Sequence, residues 1–258
     1  IARGSPGRFP RGVLRLAGSN WSLYNRWFAG SPGGRFLSLM VGISRSTFLG
    51  CVTMDFTLSE ELVGIRDLTR KFAAEQIAPH ARKWDEAKWL PNEVIAEMGK
   101  AGLLSVALPE EFGGSGQGLL GMTVVVEEIA RWCGGTALFI AAHSGLCSTH
   151  IRLAGSDAQK KKWLPHLGTG EVIGSWCLSE PDCGTDAEAL TTRAEKTKSG
   201  WKLNGRKFWI TNGKRAGVFV VTARTKPERG ARTISAFIVE GDRKGLIRGL
   251  WLTIILGA

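Results

Sequence analysis

The periodicity of this chain changes once, near Gly170, and that change most restricts what it can fold into. Before it, apolar residues such as Leu62, Ile65, Leu68 and Phe72 recur at helical spacing. After it, the apolar runs are short, rich in Val, Ile, Thr and aromatic residues, and separated by Gly, Asn, Lys or Pro turns. Thr57 with Glu60 three residues on spells a capping box, so a first helix is predicted from there to about Ile77, before Pro79. A second is predicted from Pro91, ending near Gly99 or Gly102. Two more are predicted over about 119–132 and 136–153, the first with Glu127, Glu128 and Arg131 on its wet side. The stretch SDAQKKKWLPHLGTG adds a short amphipathic helix. Strands are predicted in VIGSWCLSE, ALTTRAEKT, GWKLNGRKFWIT, GVFVVTAR and TISAFIVEG, with Asn204-Gly205 as a two-residue hairpin signal. The fold class is therefore α+β: a helical domain over 54–170, then a compact antiparallel β domain over 171–244. Residues 245–258 fit neither pattern and read as an atypical apolar tail.

The net charge of +11 could mean nucleic acid or an anionic membrane. Its distribution argues otherwise: residues 1–53 hold seven arginines and no lysine, aspartate or glutamate, leaving +4 for the rest. This leader, rich in Arg, Ser and Gly, reads as poorly ordered. It fits an over-extended gene start or a cloning remnant better than an organellar transit segment. No run reaches the roughly eighteen apolar residues of a spanning helix, so a soluble protein without membrane insertion is expected. Five cysteines, an odd number with no C-x-x-C pair, indicate neither a disulfide framework nor a zinc ribbon and fit a reducing compartment.

Three patterns imitate sites. Gly116 to Gly121, GQGLLG, matches a dinucleotide fingerprint, but no strand precedes it and no acidic residue follows at about twenty positions. His143, Cys147 and His150 share a predicted helix face, yet one face rarely completes a metal's coordination, and a packed face is the better reading. Lys160 to Lys162 beside Trp163 reads as a solvated helix face rather than a phosphate contact.

The stretch that carries chemistry is WCLSEPDCGTD, Trp176 to Asp186. A strand end offers free backbone N–H and C=O groups, Pro181 breaks the ladder, and Gly184 permits close approach. Ser179 and Thr185 add hydroxyls. Twenty-four residues beyond Thr185, KFWITNG supplies Trp209 as an apolar wall and Thr211 as another hydroxyl. Such a surface suits a flat, polar-edged heteroaromatic ring with an anionic tail, as in a flavin.

From Met54 to Glu240 these stretches resemble the acyl-CoA dehydrogenases. The likeness rests on FTLSEELVGIRDLTRKFAAEQIAPHARKWDE, LPEEFGGSG, WCLSEPDCGTDA, LNGRKFWITNG and ISAFIVEG in the family's order, with the twenty-four-residue interval preserved. The resemblance implies an N-terminal helical domain, a middle β-barrel domain and a C-terminal four-helix bundle, with FAD in the cleft. It assigns Trp176, Cys177, Leu178, Ser179, Glu180, Pro181, Asp182, Cys183, Gly184 and Thr185 to the isoalloxazine and ribityl chain. Trp209, Ile210 and Thr211 fall on the other side of the ring, with Thr211 near N5 and Ser179 near the pyrimidine edge. Thr185 would also touch the CoA thioester. Asp182 and Cys183 replace the small residues often found between Pro and Gly.

The implied reaction is α,β-dehydrogenation of an acyl-CoA thioester, with an electron-transfer flavoprotein as acceptor and a homotetramer or homodimer as assembly. The family's base is a glutamate of the C-terminal bundle, which this sequence does not contain; neither Glu180 nor Glu188 matches that position. The expectation is thus a truncated enzyme of impaired activity. Alternatives are a non-catalytic binding or scaffold fragment, and a related flavin-dependent acyl-CoA oxidase. The location would be cytoplasmic in a bacterial source, or the mitochondrial matrix if residues 1–53 are a transit peptide.

Overall fold

The computed structural model describes residues 56–249 and the backbone of 254–257; the Arg-rich leader over 1–53 lies outside the described residues. The helices and strands belong to the compact unit Thr57–Ala258.

Helix α1 (Glu60–Phe72) begins at Ser59, whose hydroxyl accepts from Leu62 N, and widens into a π turn over Ala73–Ile77. The cap is thus Ser59 and not Thr57: Ser59 takes the extended conformation that lets its side chain turn back onto the first N–H groups. Helices α2 (Ala81–Ala87) and α3 (Asn92–Lys100) follow, the latter entered through Pro91. A glycine-rich loop with Gly116 and Gly118 at positive φ leads into α4 (Gly118–Ala130). This is turn geometry, and among the described residues no strand precedes it.

Glu128 of α4, expected on the wet side, is instead 4% exposed. Arg70 of α1 reaches across and donates Nε to Oε2 at 3.0 Å and Nη2 to Oε1 at 2.8 Å. The bidentate pair makes burial of that carboxylate tolerable and ties α1 to α4. The apolar faces of these helices meet in one core that includes Ile77, Met98, Val125, Ile129 and Ile140.

The predicted helix over 136–153 is a composite of α5 (Gly134–Ile140), a π segment (Ala141–Ser148) and α6 (Thr149–Ala154). The wider turn brings His143 to full burial, where Nε2 lies 2.9 Å from Leu167 O and Nδ1 accepts from Gly174 N at 3.0 Å. Donation from Nε2 and acceptance at Nδ1 require the neutral ring. Helix α7 (Asp157–Gly168) starts with a capping box from Ser156 and Gln159. Its Lys162, exposed as a solvated helix face requires, pairs with Glu240 at 2.6 Å and lies over Trp163.

The sheet comprises β1 (Gly174–Cys177), β2 (Arg193–Thr197), β3 (Gly200–Lys207), β4 (Val218–Arg224), β5 (Ile234–Glu240), β6 (Leu246–Arg248) and β7 (Ile254–Gly257). Two features correct the expected antiparallel barrel. Strand β4 pairs parallel with β1 and, at one position, parallel with β2, while β5 lies antiparallel along its other edge. Among the described residues the sheet runs β1-β4-β2-β3-β7-β6 with β5 on β4, and it does not close. The β2–β3 hairpin is inserted between β1 and β4, so β4 returns in the direction of β1. The sequence sign is VFVVTAR, a continuous buried run of the kind expected for a strand covered on both faces.

Asn204-Gly205 is not a turn. It lies inside β3, and the hairpin turns at Lys198-Ser199, with Thr197 opposite Gly200. Gly205 is required for a different reason: a β-carbon there would collide with Thr192. Part of the segment set apart as a tail forms β6 and β7, with β7 paired to β3.

His143 yields a pH prediction. Burial pushes its pKa from 6.5 down to about 4, so the folded state favours the neutral ring. The unfolded chain therefore takes up the proton first, and stability falls as pH drops from about 6.5 through about 4. His143→Leu should remove this component and, by orphaning the Gly174 N–H and Leu167 C=O, cost about 2 to 5 kcal/mol. Urea unfolding across that pH range measures both.

Candidate functional site

Strand β1 ends at Cys177, and the chain then makes a narrow turn. Glu180 N donates to Cys183 O at 2.8 Å and Cys183 N to Glu180 O at 3.3 Å, leaving Pro181 and Asp182 as an exposed tip. Proline presets the φ that the first corner of such a turn needs and has no N–H to satisfy there. Cys183 is buried, its Sγ 3.3 Å from Asp186 O, while Gly184 and Thr185 are exposed. This accounts for the abrupt Glu-Pro: a strand end folded on itself that presents four residues to solvent.

The second stretch lies beside the first. Phe208 N donates to Ser179 O at 2.8 Å, Ser175 Oγ to Thr211 O at 2.6 Å, and Asn212 Nδ2 to Gly174 O at 3.2 Å. Trp209 and Asn212 take left-handed backbone with φ of 58° and 67°. Non-glycine residues adopt that region at a cost, and such strain gathers at functional segments. Here it turns the Trp209 indole outward, 70% exposed, with Phe208 edge-on at 6.1 Å. Ile210 points the other way, into the sheet core with Cys177, Phe219 and Val221. A cavity of about 390 Å³ opens between the helical domain and this turn, with Trp89, Leu138, Phe139, Thr211 and Arg215 among its lining. Arg215 stacks on Trp89 at 4.2 Å and donates to Leu90 O and Asn92 Oδ1, joining the turn to the start of α3.

Behind both stretches is a buried ion pair. Lys207 Nζ lies 2.7 Å from Glu180 Oε1, with the two side chains 0% and 2% exposed. Glu180 also accepts from Thr191 N and Oγ1 at 2.6 and 2.7 Å and from Thr192 N at 3.1 Å. Burial alone would push its carboxyl up, but the hydrogen bonds from Lys207, Thr192 and Thr191 outweigh that and hold it at about 2. Burial pushes the Lys207 ammonium down against the pull of Glu180.

The sequence-nominated residues thus divide. Pro181, Asp182, Gly184, Thr185 and Trp209 are exposed; Trp176, Leu178, Ser179 and Thr211 are half-buried; Cys177, Glu180, Cys183 and Ile210 are buried. Trp176 stacks on His150 at 5.3 Å, and its buried Nε1 has no hydrogen-bond partner. Cys147 is buried, which pushes its thiol up to about 12 and keeps it protonated. Among the described residues no cluster of His, Cys, Asp or Glu could hold a metal ion, and no helix is long and apolar enough to cross a membrane.

Sequence reasoning passed over Lys207, Thr191, Thr192 and Ser175. A signal for Lys207 was present. Alternation along β3 turns Leu203, Gly205 and Lys207 toward one face, and a cation on that face requires a buried carboxylate.

The models describing the acyl-CoA dehydrogenase N-terminal and middle domains match residues 59–171 and 175–253. The short-chain-specific acyl-CoA dehydrogenase of Clostridium acetobutylicum is 38% identical over 76% of this chain and 52% of its own length. The mitochondrial isovaleryl-CoA dehydrogenase of Arabidopsis thaliana is 41% identical over 70% of this chain and 44% of its own. The chain therefore spans about half the length of the curated relatives it matches. A glutaryl-CoA dehydrogenase from Mycobacterium smegmatis, solved in complex with FADH2, superposes with a TM-score of 0.70 and 31% identity over 77% of this chain and 53% of that one.

Ser175, together with Asn212, fastens the second stretch to β1. Ser175→Ala should cost about 1 kcal/mol in urea unfolding, because the half-buried Thr211 carbonyl loses its 2.6 Å donor.

Proposed function

This chain belongs to the acyl-CoA dehydrogenase family, and from that premise we propose that it forms the flavin-binding portion of an enzyme performing α,β-dehydrogenation of acyl-CoA thioesters. The observation that carries the reading is the lateral joining of the two motif stretches by Phe208 N to Ser179 O and Ser175 Oγ to Thr211 O. Residues far apart in sequence thereby form one surface edge between a helical layer and a sheet.

The donor set fits FAD. Trp176 holds a buried indole N–H without a partner, Trp209 offers an exposed aromatic face, and Ser179, Thr185 and Thr211 bring hydroxyls. In this reading Trp176, Leu178, Ser179, Gly184 and Thr185 hold one side of the ring system and its ribityl chain, and Trp209 and Thr211 the other, while the buried Cys177, Glu180, Cys183 and Ile210 support them from behind. Thr185, exposed beyond the turn, also meets the thioester ligand. Bound FAD supplies the two-electron acceptor that the reaction requires. The protein's part is orientation: rigid turns that place hydroxyl donors and an aromatic wall, and apolar packing that keeps water from the inner face. Glu180 is not the base that removes the α-proton, since both its oxygens are engaged and it is held ionised far below neutral pH. Glu188 accepts from Ala231 N at 3.1 Å. Family membership also supports an electron-transferring flavoprotein as acceptor and a homo-oligomeric assembly.

The test is the visible spectrum of the purified chain after addition of FAD and gel filtration. Flavin absorbance travelling with the protein is expected, and a colourless protein peak would sink the flavin site. Trp209→Ala should weaken FAD binding about tenfold, roughly 1.4 kcal/mol, and leave thermal unfolding unchanged because the side chain is 70% exposed.

A further inference from the structure

The Lys207–Glu180 pair has no part in the chemistry proposed above, and stability does not account for it. Removing two charges from water costs as much as their attraction returns, and apolar replacements of similar volume are often neutral or stabilising. Its connections point elsewhere. Lys207 Nζ donates to Leu178 O at 2.9 Å, Glu180 Oε1 at 2.7 Å and Thr222 Oγ1 at 3.3 Å, which uses all three ammonium hydrogens. Those acceptors lie on the exit of β1, on the Glu180–Cys183 turn and on β4. Glu180 in turn gathers Thr191 and Thr192 at the approach to β2. Gly205 allows this approach, since any β-carbon would strike Thr192.

The positions of the pair in the chain are equally specific. Glu180 directly follows Ser179, and Lys207 is separated from Trp209 only by Phe208. Between the two stretches at this point the backbone provides a single hydrogen bond, Phe208 N to Ser179 O at 2.8 Å. Ser175 and Asn212 hold the far end of the second stretch against β1; at the Ser179 end the ammonium with three acceptors adds the fixing that one backbone hydrogen bond does not give.

We propose that Lys207 and Glu180 are positioning residues: together they set the spacing between the Ser179 strand end and the Trp209–Thr211 turn, and so determine how tightly the site grips a flavin ring. The role rests on the flavin reading for its consequence, but its structural half stands apart from any ligand.

The experiment compares the full chain with Lys207→Met and the double variant Glu180→Gln/Lys207→Met. The single variant leaves a buried carboxylate without its cation and should lower the melting temperature. The double variant is neutral, and its glutamine oxygen still accepts from Thr191 and Thr192, so its melting temperature should return close to that of the parent. Its FAD dissociation constant, read by flavin fluorescence titration, should nevertheless remain at least thirtyfold weaker, roughly 2 kcal/mol. Amide hydrogen exchange without FAD should be faster at 208–212 in both variants and unchanged in β4. Binding within threefold of the parent by the double variant, or exchange at 208–212 equal to the parent's, would overturn the positioning role. If the parent chain itself bound no FAD, the flavin reading would fall and the claim on affinity with it, while exchange at 208–212 would still decide the positioning role. If the double variant does not fold, Lys207→Arg keeps the charge on a longer, planar group. Parent-like melting with weakened FAD binding then supports the role, and unchanged binding refutes it.

Discussion

Strand β4 is the member on which the rest of the molecule depends. All seven of its residues are buried, and their alternation serves two cores at once. Val218 and Val220 pack with Leu108, Ile151, Leu164 and Leu167 of the helical layer. Phe219 and Val221 pack with Cys177, Ile210 and Val239 inside the sheet. A strand covered on both faces cannot shift register by one residue without exchanging these sets, so its placement fixes that of its neighbours. Strands β1 and β2 on one edge and β5 on the other therefore inherit their positions from it.

Strand β1, so placed, delivers its end to a defined spot against the helices. His143, brought inward by the π segment, bonds to Gly174 at the start of β1 and to Leu167 at the end of α7. Wide turns of this kind are rare and recur near functional segments. Arg215 makes the matching connection on the other side, from the turn after Thr211 to Leu90 and Asn92. The candidate site is thus suspended between two layers that are each rigidly packed. This arrangement allows a short, strained turn such as Trp209–Asn212 to persist.

Charge is used differently inside and outside. Exposed pairs such as Arg82–Glu86 and Lys100–Glu97 follow helical spacing and contribute little. Arg70–Glu128 and Lys207–Glu180 connect distant segments and bury at least one partner. Arg224 is buried with no carboxylate partner among the described residues, its guanidinium donating to Glu188 O, Leu190 O, Glu228 O and Thr233 Oγ1. Lys207–Glu180 and Arg224 collect backbone carbonyls or amides that irregular chain would otherwise leave unpaired, whereas Arg70–Glu128 joins two helices side chain to side chain.

The division between what was legible in the sequence and what was not follows the range of the forces involved. Most helix and strand identity, the end of the first helical run at Ile77, and the two motif stretches were legible because periodicity, proline and turn chemistry act within a few residues; α2 and the strands β6 and β7 were not. Membership of a family was legible for a related reason, since the order and spacing of the motifs survive without knowledge of their contacts. The direction of β4, the burial of Glu128, the role of Gly205 beside Thr192 and the partnership of Lys207 with Glu180 were not. Each depends on groups 13 to 58 positions apart in the chain being brought together. The sequence by itself determined most of the helical and strand segments and the family to which the chain belongs. Only the tertiary structure decided which charges are buried together and how the two stretches face each other, because burial and hydrogen-bond geometry exist only once distant segments meet.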